Sequence, residues 1–65
     1  MWTPVEVGEF LKHEHFNWSI IRKFKERNVC GANLSGLSDR QLAQLFGMDE
    51  MNIKHYHAAV RLIGN

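Results

Sequence analysis

The chain of 65 residues holds a single cysteine, Cys30, so no disulfide can form within it. A domain this small without such a staple reads as intracellular, cytoplasmic or nuclear, rather than secreted. No apolar run reaches the roughly 18 residues of a membrane span, and the first residues lack the order of a signal peptide, so a membrane is not expected as a partner. Charge of one sign is missing too. Eight basic residues against seven acidic ones give a net charge of +1, too even for electrostatic capture of nucleic acid or an anionic lipid surface. Length is the last shortage: a chain of this size buries only about 60% of its unfolded surface and leaves little interior for a shielded reaction chamber, so an enzyme with a small-molecule substrate is not expected. With no repeat, low-complexity stretch or internal linker, residues 1–65 form one domain. Met1 stands directly before Trp2, where the domain already starts, so the chain is expected to be one module of a longer protein.

What is present is helical punctuation. Thr3-Pro4-Val5-Glu6 is a helix start: a hydroxyl cap, a proline whose missing N–H costs nothing at the first position, and a glutamate three residues after the cap. Val7, Phe10 and Leu11 follow at helical spacing, which predicts a first helix over about 4–13. From Asn17 to Arg27 a second helix puts Ile20, Ile21 and Phe24 on one face, with Arg22, Lys23, Lys25, Glu26 and Arg27 largely on the other. Gly31 and Gly36 confine Ala32–Ser35 to a short helical turn that carries Leu34 inward. Ser38-Asp39-Arg40-Gln41 is a second capping box, leading Leu42, Leu45 and Phe46 into a helix over about 38–46 that Gly47 ends as a left-handed cap. Asp49 caps the last and longest helix, where Ile53, Tyr56, Val60 and Ile63 recur at offsets of three and four before Gly64 ends it. The fold class is all-α, a compact five-helix bundle. No stretch alternates long enough to be a strand.

Four histidines fall as two pairs, His13 with His15 and His55 with His57, and beside Cys30 they raise the question of zinc. Residues two apart on a helix project about 200° apart, so a pair within a helix cannot offer both rings to one ion; His13 and His15, where the first helix ends, escape that objection, but neither a metal nor any other cofactor is expected. Cys30, between Val29 and Gly31, reads as a half-buried packing thiol. Asp49 and Glu50 suit the positive end of a helix and need no catalytic role. The basic run on the second helix reads as a solvated face, diluted by Glu26. Most aromatic residues belong to the core, whereas Trp18, two residues from Ile20, is turned partly off the apolar face.

Two families resemble parts of this chain. Gln41 to Tyr56 looks like a DNA-binding helix-turn-helix, with Ala43, Gly47 and Ile53 where that motif wants a small residue, a turn glycine and an apolar residue. The would-be recognition helix starts with Asp49 and Glu50, however, at the end that must approach phosphates, so nucleic acid is the weaker alternative. The second likeness spans nearly the whole chain. Trp2 followed by Val5, Val7, Phe10 and Leu11 resembles the opening "W-x-x-x-x-V-x-x-W/F-L/I" of sterile alpha motif (SAM) domains. Phe24, then Asn28-Val29-Cys30-Gly31-Ala32-Asn33-Leu34, resembles their "F-x-x-x-x-I-D-G-x-x-L". Leu37-Ser38-Asp39 with Leu42 is similar to "L-T-x-x-x-L", and Gly47-Met48 to the "L-G-I/M" before the terminal helix.

The resemblance implies a protein–protein interaction module that pairs with another SAM-like domain, on a second copy or a different chain, as scaffolds in signalling and transcription regulation do. Family members use an end-helix surface, usually basic, and a mid-loop surface, usually acidic. Carried onto this chain, the end-helix candidates are Met51, Asn52, Lys54 and His55, and the mid-loop candidates are Asn28, Asn33, Asp39 and Arg40. Contact between two different patches is heterologous, so it can propagate into a polymer or join two chains. Cys30 stands where the family often has aspartate, and Arg40 follows the lone Asp39, so the mid-loop patch is only weakly acidic. A hetero-partner that supplies the missing charge is thus as well suited as a second copy. Some family members bind RNA hairpins through a concentrated basic cluster, which the dispersed charges here do not provide.

Overall fold

In the computed structural model, which describes residues 2–63, the apolar periodicity resolves into five helices. They are α1 (Pro4–His13), α2 (Trp18–Glu26), a 3-10 turn (Gly31–Gly36), α3 (Asp39–Phe46) and α4 (Glu50–Ile63). No strand occurs among the described residues, and the last helix is the longest at 14 residues. The fold is all-α, as the spacing predicts.

Each α-helix starts where a side chain can satisfy its free N–H groups. Thr3 Oγ1 accepts from the Glu6 N–H at 3.3 Å while Glu6 Oε1 accepts from the Thr3 N–H at 2.9 Å. Asn17 Oδ1 accepts from the Ile20 N–H, and Ser38 and Gln41 close a second reciprocal pair. Asp49 does more than cap: it accepts from the Asn52 N–H at 2.8 Å, and its own N–H donates to Asn52 Oδ1 at 3.3 Å. Gly47 takes the left-handed φ of 69° that ends α3, and the Met48 N–H turns back to the Leu42 carbonyl. The stop expected at Gly64 lies outside the described residues.

One core joins all five helices. Val7 and Leu11 meet Ile20, Ile21 and Phe24, with Leu34 from the 3-10 turn, Leu42 and Phe46 from α3, and Tyr56, Ala59 and Val60 from α4. Phe24 stacks on Phe46 at 4.1 Å between ring centroids, and Tyr56 lies 6.0 Å from Phe24. The Tyr56 hydroxyl donates to the Leu34 carbonyl at 2.7 Å, so the one polar atom of a fully buried ring is satisfied. Burial raises its phenol well above the ordinary tyrosine range, because the phenolate would lose its hydration.

Two residues expected to point inward do not. Leu45 is partly exposed because Leu42 and Phe46, four apart, already fill the inward stripe of the short α3. Ile63 is 42% exposed, one turn past Val60, where α4 has run beyond its buried stretch. Val29, Met48 and Ala59 take up core positions that the periodicity did not single out. Trp18 is turned off the core as expected, 63% exposed, with Lys25 Nζ 5.5 Å from its ring centroid.

The first residues are strapped to the middle of the chain. The Gly31 N–H donates to the Trp2 carbonyl at 2.9 Å, and a Cβ on Gly31 would come within 2.9 Å of Trp2 Cβ and 3.0 Å of its backbone nitrogen. The glycine is therefore required for close approach at the first position of the 3-10 turn. α1 lies closest to α2 and the 3-10 turn, and α4 closest to α3 and the same turn, while the backbones of α1 and α4 stand farther apart. No helix is long and apolar enough to cross a membrane among the described residues.

Candidate protein-association surface

The start of α4 is built on the Asp49–Asn52 box. Asn52 is half-buried and its side-chain oxygen is used in the cap, so of the four end-helix candidates it is the one occupied by the helix itself. Met51 points outward at 79% exposure. Lys54 is exposed, with no hydrogen bond or ion pair among the described residues. His55 is engaged at its ring: Nε2 lies 2.8 Å from the Glu14 carbonyl oxygen and 3.5 Å from Glu14 Oε1, and the ring sits 5.0 Å from that of Phe16. It pins the α1–α2 link to α4 while leaving about half of its side chain in solvent.

Three of the four mid-loop candidates also hold local structure. Asn28 ends α2 in the left-handed region at φ 52°, which its short polar side chain tolerates. Asn33 Oδ1 accepts from the Cys30 N–H at 3.1 Å, stapling the entry to the 3-10 turn. Cys30 is half-buried, its Sγ 3.7 Å from the Asn28 carbonyl oxygen. Asp39, at the positive end of α3, is bound by His57 Nε2 of α4 at 2.5 Å. Arg40 is exposed and makes no such contact among the described residues. Asn28 and Asn33 are thus brought together around Cys30, Asp39 and Arg40 sit at the start of α3, and the α4 group forms a separate patch.

Glu14 is a contributor that the sequence did not single out, and His57 figures there only as a candidate metal ligand. A signal existed: residues two apart on a helix face opposite ways, which excludes a shared ion and also sends His55 and His57 to different neighbours. Between them Tyr56 enters the core, so three successive residues of α4 reach the α1–α2 link, the 3-10 turn and α3 in turn. Among the described residues no group of three His, Cys, Asp or Glu side chains is arranged to hold a metal.

The basic run on α2 is largely engaged. Arg22 pairs with Glu26 at 3.7 Å, Lys25 lies over Trp18, Lys23 Nζ is 3.5 Å from the Ser19 hydroxyl, and Arg27 lies over Phe46 at 5.8 Å. Ala43, the small residue of the helix-turn-helix likeness, is exposed rather than at a helix crossing. Comparison of the chain with protein-family models, with curated proteins and with solved structures found no match.

Proposed function

We propose that the chain is a protein–protein association module of SAM type, which binds another such domain through the outer face of α4. The observation that supports it is an unburied apolar stripe on that helix. Met51 and Leu62 are 79% and 84% exposed, with the exposed Ala58 between them at helical spacing and Lys54 and Arg61 alongside. An apolar stripe flanked by cations suits an acidic, partly apolar surface such as the mid-loop face that SAM domains offer one another. On this chain the one acid among the four residues of that face is Asp39, already bound by His57 and followed by Arg40, so a different chain with a more acidic face fits better than a second copy. On this reading the module transforms no substrate, holds no cofactor or metal, and works inside the cell as part of a scaffold.

Sedimentation velocity over a concentration series, alone and mixed with a SAM domain bearing an acidic mid-loop face, tests this. The expected result is a complex that Met51→Glu abolishes while its helical circular dichroism is unchanged. A chain that stays monomeric in both settings overturns the reading. Binding of RNA or duplex DNA that falls steeply with salt would move it to the nucleic-acid class.

A further inference from the structure

A groove of about 500 Å³ lies between α1 and the end of α4. Its floor is apolar: Trp2 and Phe10, whose rings are 5.2 Å apart, and Ile63 at its far side. Its rim is acidic. Glu6, Glu9 and Glu14 line it, and His13 is the one basic side chain among the lining residues. Glu6, Glu9 and His13 share one face of α1 through offsets of three and four, so these groups are presented together.

The carboxylates differ in how they are held. Glu6 Oε1 accepts from the Thr3 N–H, and Glu14 lies between His55 at 3.5 Å and His13 at 3.9 Å. Glu9 has no hydrogen bond or ion pair among the described residues and is exposed beside the groove. An unoccupied carboxylate above an apolar floor sets the chemistry of what fits. An anionic lipid surface or a nucleic acid would be repelled by the rim, and a neutral apolar ligand would leave Glu9 without a counter-charge. The volume lies within the range of about 300–1,000 Å³ common to ligand clefts, but the groove is open along its length, which suits an extended segment better than an enclosed small molecule. The chain's own basic helix is a poor occupant, since Arg22, Lys25 and Arg27 already contact Glu26, Trp18 and Phe46.

We propose that this groove is a second docking site, distinct from the outer face of α4, which takes a cationic peptide segment of a partner protein. An aliphatic or aromatic side chain of the segment rests on Trp2, Phe10 and Ile63, and arginines or lysines beside it meet Glu9, Glu6 and Glu14. The proposal stands on the groove alone and does not rest on the α4 reading.

The test uses a Trp18→Phe background, in which Trp2 is the sole tryptophan and reports from inside the groove. The probe is a synthetic peptide with one central leucine flanked by arginines. Its titration is expected to give a saturable blue shift of Trp2 emission, and Glu9→Arg, with helical circular dichroism intact, is expected to weaken binding by about tenfold or more. The milder Glu9→Gln guards against misfolding of the charge reversal and is expected to weaken binding by a smaller factor. Replacing the peptide leucine by serine should weaken it comparably, and Lys54→Ala should leave it unchanged. The proposal is overturned if Trp2 does not respond, if Glu9→Arg and Glu9→Gln bind as the parent does, if the serine peptide binds equally well, or if Lys54→Ala abolishes binding.

Discussion

The outer face of α4 and the surface formed by the 3-10 turn with the start of α3 both present exposed side chains, yet they use them in opposite ways. On the turn and α3, Asn33 staples Cys30, Asp39 holds His57, and Gly31 clasps Trp2, so polar and backbone groups there are spent on the fold. On α4, Met51, Lys54, Ala58 and Leu62 do nothing for the fold. Their exposure is what leaves them available to something else. A side chain named as a binding candidate from sequence is informative only once its internal obligations are known.

Substitutions can widen or erase that contrast. The largest effect is expected at Gly31→Ala, where the new methyl would meet Trp2 backbone as well as side chain; a loss of about 2 kcal/mol in urea denaturation is expected, typical of forced overpacking. Equal stability of this variant would show that the clasp is not tight.

Next comes Tyr56→Phe, which leaves the buried Leu34 carbonyl without its donor and should cost about 1–2 kcal/mol. This variant also isolates a pH effect. Burial raises the folded-state pKa of Tyr56, so its contribution is fully present below the unfolded tyrosine value of about 10 and is lost as pH rises above it. The parent should therefore lose more stability than Tyr56→Phe between about pH 8 and pH 11, a difference that parallel denaturation curves measure. Tyr56 is the only tyrosine, so its ionisation can be followed directly by absorbance.

Asp39→Ala should cost less, at most about 1 kcal/mol, because the pair with His57 is solvent-exposed on both sides. Thermal melts of Asp39→Ala, His57→Ala and the double variant give the coupling between them. Smallest of all, Met51→Ala is expected to shift stability by less than about 0.5 kcal/mol. A large destabilisation by Met51→Ala would end the contrast, since it would place that side chain among the groups that hold the fold.

Local chemistry made most of the architecture legible. The Thr3–Glu6 and Ser38–Gln41 boxes, the Asp49 cap and the left-handed Gly47 each involve residues at most a few positions apart, and each occurs where the spacing predicts. What could not be read is non-local. The Gly31–Trp2 bond spans nearly half the chain, and the Tyr56–Leu34 and His57–Asp39 contacts depend on how α4 is laid across elements about 20 residues away. Leu45 and Ile63 show the limit of periodicity itself, which finds an apolar stripe but not where along it the partner helix ends. The candidate residues of α4 came from the family resemblance alone, and the groove beside α1 could not be read, since its walls come from opposite ends of the sequence.

Three neighbouring residues of α4, each tied to a different part of the molecule, fix the rotation of that helix about its own axis. Turning it by one residue position would release His55, Tyr56 and His57 together. The side that carries Met51 and Leu62 is consequently preorganised, and whatever settles on it need not first freeze the helix into place, so the entropic penalty of capture falls mainly on the newcomer.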